Sequence, residues 1–225
     1  MIVSFPLQEL FIKVCGITNL ADAKLASSLG ANAIGFNFTP ANERYIAPEN
    51  AFSISRQIPD YVSKIGVFEN SNPQYVKNIL DKVSLSAVQL FSNEGPDDLI
   101  GYETSVIKVF ELDNLSDVEI MRNYLVDAFL LRNKKNKSIH FHSKQYHWDK
   151  AIKAKEYGRV ILSTDLNPEN VEDAIRFVKP YGIDVCAGVE LQPGRKDPAQ
   201  LRELIARARN IVFIENHTED IDDEN

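Results

Sequence analysis

Short apolar segments alternate with helix-like segments along nearly the whole chain. Eight of them are near-continuous runs of Val, Ile, Leu and Phe, at 10–15, 32–38, 63–68, 85–90, 105–110, 126–131, 158–163 and 183–187. Such runs are typical of parallel strands that are covered on both faces. Their mean spacing of about 25 residues fits a strand followed by a crossover helix. The pattern therefore predicts repeated β–α units and a parallel sheet.

The segments between the runs carry helix signals. Thr18 or Asn19 can cap a first helix, which Gly30 can end. Asn167 stands before Pro168, and proline is favoured at the first position of a helix. Eight such units in 225 residues predict an α/β protein with one domain over residues 1–225, a single (β/α)8 (TIM) barrel. A doubly wound open sheet is the competing architecture. No Pro/Gly/Ser-rich linker divides the chain.

Composition and charge narrow the class of protein. Hydrophobic residues make up 44% of the chain and charged residues 25%, which is ordinary for a globular domain. The net charge of −7 argues against nucleic-acid partners, which usually require a basic surface. Much of this charge lies at the end of the chain, about 216–225, and predicts a short, solvated acidic tail.

The start of the chain and the two cysteines indicate the cellular compartment of the protein. The first residues, MIVSFPLQELFIK, lack the basic region of a signal peptide. No segment reaches the roughly 18 consecutive apolar residues that span a bilayer, so we expect no membrane partner. Two cysteines do not form the framework of a secreted protein. These features predict a cytoplasmic protein, and they leave its oligomeric state open.

The two cysteines occupy related positions in the predicted barrel. Cys15 ends the first strand, where the chemistry of such barrels lies; the alternative is a small buried thiol that only fills space. Cys186 ends the last strand, which a closed barrel places about 5 Å from the first. We therefore predict that the two sulfurs lie close enough for a strained, reversible disulfide. The alternative is two reduced thiols that point apart.

Several long motifs resemble one known family. KVCGITNLADAKLASSLGANAIGFNF and NERYIAPENA are similar to the amino-terminal signature of the phosphoribosylanthranilate isomerase family, which acts in tryptophan biosynthesis. KIGVFEN and AVQL match its third and fourth strands. LNPENVEDAIRFVKPYGIDVCAGVELQPGRKD resembles its carboxyl-terminal signature. The similarity runs from about Phe11 to Ile214, and it favours the barrel over the open sheet.

The resemblance implies a reaction and a set of site residues. The family carries out an Amadori rearrangement of a phosphosugar, N-(5-phosphoribosyl)anthranilate, with no cofactor or metal. The reaction needs a general acid for the ring oxygen and a general base for the proton on the second sugar carbon. By resemblance, Cys15 is the base, Arg44 lies near the anthranilate carboxylate, and Gly188 belongs to the phosphate-binding corner.

The chain departs from the family after its sixth and seventh strands. The family's general acid is an aspartate after the sixth strand, and Arg132 stands there instead. Arginine stays protonated and cannot serve as that acid. Thr164 and Asp165 replace a pair of glycines at the phosphate corner. Two further substitutions follow the fourth strand, where Phe91 and Ser92 replace a histidine and a glycine.

These departures leave three interpretations open. The chain is an isomerase whose acid has moved, with Asp165 as the preferred candidate; or it is a silent relative that binds an anionic metabolite or partner; or it acts on another phosphosugar. One of three histidines is the other candidate acid: His140, His142 and His147. Four lysines of the same segment could attract the phosphate: Lys134, Lys135, Lys137 and Lys144. The histidine spacing matches no strong metal-site pattern, so we expect no metal.

Overall fold

Eight parallel strands close into a barrel in the computed structural model, which describes residues 9–111, 118–133 and 148–211. The strands are β1 (Phe11–Val14), β2 (Ala33–Asn37), β3 (Ser63–Glu69), β4 (Ala87–Phe91), β5 (Ser105–Glu111), β6 (Ala128–Arg132), β7 (Val160–Ser163) and β8 (Gly182–Val185). Their order around the barrel follows the chain, and β8 pairs with β1. The predicted (β/α)8 barrel is confirmed, and the open sheet is excluded.

Six α-helices lie within the described residues. They are α1 (Leu20–Ser28), α2 (Pro48–Ser55), α3 (Pro73–Lys82), α4 (Trp148–Ala154), α5 (Val171–Val178) and α6 (Pro198–Arg209). Short 3-10 turns at Pro96–Leu99 and Ile120–Asn123 follow β4 and β5. A small hairpin, β9 (Glu190–Gln192) and β10 (Arg195–Lys196), follows β8.

The helix starts partly agree with the sequence signals. Asn19 caps α1, because its side-chain oxygen accepts a hydrogen bond from the Asp22 backbone N–H at 2.9 Å. The start predicted at Pro168 is wrong by three residues, since α5 begins at Val171. Asn167 instead accepts hydrogen bonds from the backbone N–H groups of Glu169 and Asn170, which form a separate turn before the helix.

The alternation of side chains along each strand determines which residues reach the barrel interior. One set packs against the helices, as Ile12 and Val14 of β1 do. The other set fills the barrel with a small apolar cluster that includes Ile65, Ile107 and Leu130. The last inward position of each strand lies at the carboxyl end of the barrel. This geometry gathers residues that are far apart in sequence around one opening.

Within the described ranges, no helix is long and apolar enough to cross a membrane. The predicted acidic tail lies outside the described residues, as do the three histidines and four lysines of the segment 134–147. The roles proposed for these residues therefore stay predictions.

Candidate active site

A polar cavity of about 190 Å³ lies at the carboxyl ends of the strands. Its lining includes all four residues that the sequence predicted for the site: Cys15, Arg44, Asp165 and Gly188. Arg132, the last residue of β6, also lines the cavity. The barrel therefore brings residues from its first, second, sixth, seventh and eighth β–α units to a single place.

Cys15 follows β1 and is 8% exposed. Its backbone N–H donates to the Val185 carbonyl at 2.8 Å, which ties it to β8. A hydrogen bond from Cys186 lowers the pKa of Cys15 to about 7, against the opposing effect of burial and with help from the charge of Lys13. A thiol with this pKa is half ionised near neutrality, and the thiolate is the form that acts as a base.

A fully buried ion pair lies beside this thiol. Lys13 is 0% exposed, and its Nζ donates to Asp184 Oδ1 at 2.7 Å across the β1–β8 pair. The second carboxylate oxygen of Asp184 accepts a hydrogen bond from Ser163 Oγ at 3.1 Å. Burial lowers the pKa of Lys13, but the charges of Asp184 and Cys15 raise it. Their combined effect is larger, so the pKa of Lys13 lies above its usual value. The lysine is therefore a fixed positive charge next to Cys15.

Cys186 follows β8 directly and also lines the cavity. Both cysteines are free thiols, and each shifts the pKa of the other. The alternative in which the two thiols point apart therefore stays open. The disulfide itself stays a prediction. The interaction with the Cys15 thiol raises the pKa of Cys186 well above its usual value, and burial adds to this effect.

Arg44 lies on the loop after β2 and is held by an acidic residue from the far end of the chain. Its Nε and Nη2 donate to the carboxylate of Glu190 at distances between 2.6 and 3.1 Å. Glu190 also accepts from Lys196 Nζ at 2.8 Å and from the Gly194 backbone N–H at 3.2 Å. Within the described chain, Arg44 Nη1 makes no hydrogen bond, so this group remains for a ligand carboxylate.

Gly188 lies where the loops after β7 and β8 approach each other. A Cβ atom at this position would lie 2.1 Å from the Leu166 carbonyl oxygen. A side chain cannot fit there without moving backbone, so the glycine is required for the approach of the two loops. The structure thus explains the residue type by packing, and a role in phosphate binding stays a prediction.

Asp165 follows β7 with a left-handed backbone, at φ 49°. Its side chain is exposed, and Oδ2 lies 3.4 Å from Asn133 Nδ2. The preceding residue, Thr164, is 1% exposed. Thr164 Oγ1 has no hydrogen-bond partner among the described residues. The corner after β7 therefore presents one carboxyl group to the cavity and one buried hydroxyl that lacks a protein partner.

Arg132 is part of a cluster on the wall opposite Arg44. Its guanidinium lies 3.6 Å from the centre of the Phe91 ring. It forms ion pairs with Glu111 at 3.0 Å and Glu69 at 3.6 Å. Arg132 and Phe91 stand out in the sequence as departures from the family, whereas the two glutamates were not predicted. Each glutamate is the last residue of its strand, so a comparison of the strand ends would have found them.

Gln89 is a further cavity residue that was not predicted from the sequence. It is an inward-facing residue of β4, 6% exposed, and it lines the cavity. Its side-chain oxygen has no hydrogen-bond partner among the described residues. A buried acceptor without a donor costs free energy, so this oxygen is suited to accept a hydrogen bond from a ligand.

The closed barrel and its ionisable cavity place the chain in the class of (β/α)8 barrels that carry their site at the carboxyl ends of the strands. The profile of one family, described as "PRAI: N-(5'phosphoribosyl)anthranilate (PRA) isomerase", matches residues 12–207. The chain belongs to the N-(5'-phosphoribosyl)anthranilate isomerase family.

Individual relatives agree with this assignment. The N-(5'-phosphoribosyl)anthranilate isomerase of Citrifermentans bemidjiense is 39% identical over 203 residues, which cover 90% of this chain and 98% of that protein. The solved phosphoribosylanthranilate isomerase of Thermotoga maritima has a TM-score of 0.81 at 36% identity, covering 90% of this chain and 100% of the other. A further solved isomerase, in complex with reduced 1-(o-carboxyphenylamino)-1-deoxyribulose 5-phosphate, has a TM-score of 0.79 at 35% identity, with coverage of 90% and 100%.

Proposed function

We propose that this chain catalyses the isomerisation of N-(5'-phosphoribosyl)anthranilate in tryptophan biosynthesis, in the cytoplasm. The observation that carries the proposal is the position of Cys15, a thiol with a near-neutral pKa in the cavity of a barrel of this family. The relatives bear the name of this isomerase. Their names support a catalytic role over the alternative of a protein that only binds an anionic metabolite.

The base of the reaction is Cys15. An acid first donates a proton to the ring oxygen; the bond from this oxygen to the first sugar carbon breaks, and the anthranilate nitrogen forms a double bond to that carbon. The Cys15 thiolate then removes the proton from the second sugar carbon, and the electron pair moves towards the positively charged nitrogen. The resulting enol becomes the ketose when its hydroxyl loses a proton and the first sugar carbon takes one up. A base with a pKa near the working pH is the most effective in such a step.

The acid of the reaction is Asp165. Three carboxyl groups among the described residues line the cavity: Glu69, Asp165 and Asp184. Asp184 is locked to Lys13, and Glu69 is paired with Arg132. Among the described residues, Asp165 has only a long contact with an amide group, so donation of a proton would break no ion pair there. It follows the strand next to β6, where the family has its acid.

The remaining polar groups of the cavity bind the two ends of the substrate. The free Nη1 edge of Arg44 donates to the anthranilate carboxylate, and guanidinium is well suited to such planar anions. The backbone around Gly188 receives the phosphate at the corner between β7 and β8. Gln89 accepts a hydrogen bond from a sugar hydroxyl. This bond removes the free-energy cost of burying the Gln89 side-chain oxygen without a partner.

Replacement of Arg44 tests the carboxylate contact. Arg44→Ala is expected to raise KM by about 10- to 100-fold, because a charge-assisted hydrogen bond is lost. Arg44→Lys is the matched variant: it keeps the charge but loses the fork geometry, so its KM lies between those of wild type and Arg44→Ala. Steady-state kinetics of the three proteins measure this order. An unchanged KM in Arg44→Ala would show that Arg44 serves only to hold Glu190.

Replacement of Asp165 tests the assignment of the acid. Asp165→Asn is expected to lower kcat by about 10²- to 10⁴-fold, because the amide cannot donate the proton that opens the ring. Glu69→Gln is the matched control in the same cavity, and we expect it to retain most of the activity. If the two results are reversed, Glu69 is the acid and Arg132 is its partner.

The proposal as a whole is tested by genetic complementation and by turnover. A tryptophan auxotroph that lacks the isomerase is expected to grow when it carries this gene. Purified protein is expected to convert N-(5'-phosphoribosyl)anthranilate, with Cys15→Ala as the inactive control. Failure of both experiments with folded protein would contradict the proposal and leave a binding role.

A further inference from the structure

Cys15 and Cys186 end two strands that are paired in register. Val14 of β1 is the register partner of Val185 of β8, so the two cysteines are the next residues on adjacent parallel strands. The Cys15 N–H donates to the Val185 carbonyl at 2.8 Å and holds this register to the end of the strands. The glycine after Cys15 leaves room for the second sulfur: a Cβ atom at Gly16 would lie 3.0 Å from Cys186 Sγ.

The surroundings of the Cys15 sulfur favour a negative charge. Lys13, on the same strand, is fully buried, and its charge acts on the sulfur. Asp184 lies close by, but its charge is balanced by Lys13 at 2.7 Å. Arg44, from the loop after β2, adds positive charge near both sulfurs. The neighbouring strand β2 contributes Gly35, whose missing side chain leaves space for Cys15.

The surroundings of the Cys186 sulfur are balanced in charge. Lys196 Nζ and Glu190 Oε1 each lie 4.0 Å from this sulfur. The two groups also bind each other at 2.8 Å. The charges around Cys186 therefore do not favour its thiolate, whereas the charges around Cys15 do. Two neighbouring thiols, one buried and one partly buried, do not ionise together, since like charges repel.

We propose that Cys186 is a positioning residue for the base: its thiol donates a hydrogen bond to the Cys15 thiolate and keeps that sulfur charged and oriented towards the cavity. This inference rests on the proposed function of Cys15, but the hydrogen bond can be measured without turnover. The direction of the two pKa shifts agrees with it, since that of Cys15 is lowered and that of Cys186 is raised.

The test is the pH dependence of alkylation of Cys15 by iodoacetamide, in the presence of a reductant and followed by mass spectrometry of the Cys15 peptide. Wild type is expected to show a midpoint near pH 7. In Cys186→Ala the midpoint should rise by about one unit, so that the rate at pH 7 falls by about fivefold. Cys186→Ser offers a hydroxyl donor in the same place and should keep the midpoint within about 0.3 units of wild type.

The outcomes separate the hydrogen bond from a merely structural role. An unchanged midpoint in Cys186→Ala would overturn the proposal, as would an equal shift in the alanine and serine variants. If Cys186→Ala does not fold, the wild type still decides: Cys186 should be alkylated at pH 7 far more slowly than Cys15. Equal rates at the two sulfurs would contradict the assigned proton. Since none of these readouts needs substrate, they remain valid even if the isomerase assay fails.

Discussion

Cys15→Ala is expected to lower kcat/KM for N-(5'-phosphoribosyl)anthranilate by about 10³-fold, since a positioned base contributes roughly 10²- to 10⁴-fold. The loss should fall on kcat, because alanine leaves the carboxylate and phosphate contacts in place. The substitution removes one small buried side chain at the end of β1, so the barrel should remain folded. Steady-state kinetics together with circular dichroism measure both parts of this expectation.

The matched control for the Cys15 variant is removal of the other thiol. Cys186→Ala deletes a sulfur of the same size from the adjacent strand, but it removes only the hydrogen bond that we propose for the base. We expect it to lose about fivefold in kcat/KM at pH 7 and to recover at higher pH. Equal losses in the two variants would mean that both thiols serve packing alone, and that the base is another group.

Lys13→Met is expected to lower the free energy of unfolding by about 3–5 kcal/mol, the usual cost of leaving one buried charge without its partner. Asp184 would keep only the Ser163 hydroxyl as a neighbouring donor. For a chain of this length the change corresponds to a fall in Tm of about 10 °C. Thermal unfolding of wild type and variant measures it. The variant should also need a higher pH for activity, because Lys13 no longer favours the Cys15 thiolate.

The matched control for the lysine variant is the double replacement Lys13→Met with Asp184→Asn. It removes the uncompensated carboxylate, so it should be more stable than Lys13→Met. The pH dependence gives a second check. Lys13 has a raised pKa in the folded protein, so its stabilising effect is present at neutral pH and is lost only at alkaline pH. A variant as stable as wild type at pH 7 would show that the ion pair contributes nothing to the fold.

The strands of the barrel could be predicted because each is a short apolar run of characteristic length. The runs 105–110 and 126–131 became β5 (Ser105–Glu111) and β6 (Ala128–Arg132) with shifts of one or two residues. Helix positions were less certain, because local hydrogen bonds compete at the ends. Asn167 shows this: its side chain closes a turn before α5 instead of capping the helix.

Site residues could be predicted only where a residue stands in a recognisable sequence motif. Cys15 and Arg44 stand in long motifs, and both line the cavity. Their partners could not be read from the chain, because Asp184 lies 171 residues from Lys13 and Glu190 lies 146 residues from Arg44. Only the register of a closed barrel brings such residues together.

The wall around Arg132 shows how one substitution depends on others. An arginine at the end of β6 needs counter-charges, and Glu111 and Glu69 supply them from β5 and β3. The ring of Phe91 supports the plane of the guanidinium from β4. The position that the resemblance predicts for the family's acid is thus filled by a satisfied ion-pair cluster. This arrangement supports an acid from another strand, as proposed for Asp165.

The central claim is that a thiolate with a near-neutral pKa takes the proton from the sugar. The pH dependence of kcat/KM on purified wild-type protein tests it most directly. The base must be deprotonated, so activity should reach half of its plateau near pH 7 and fall about tenfold per unit below that point. A profile that stays flat from pH 8 down to pH 5.5, on the order of the range over which a cysteine would protonate, would show that Cys15 is not the base.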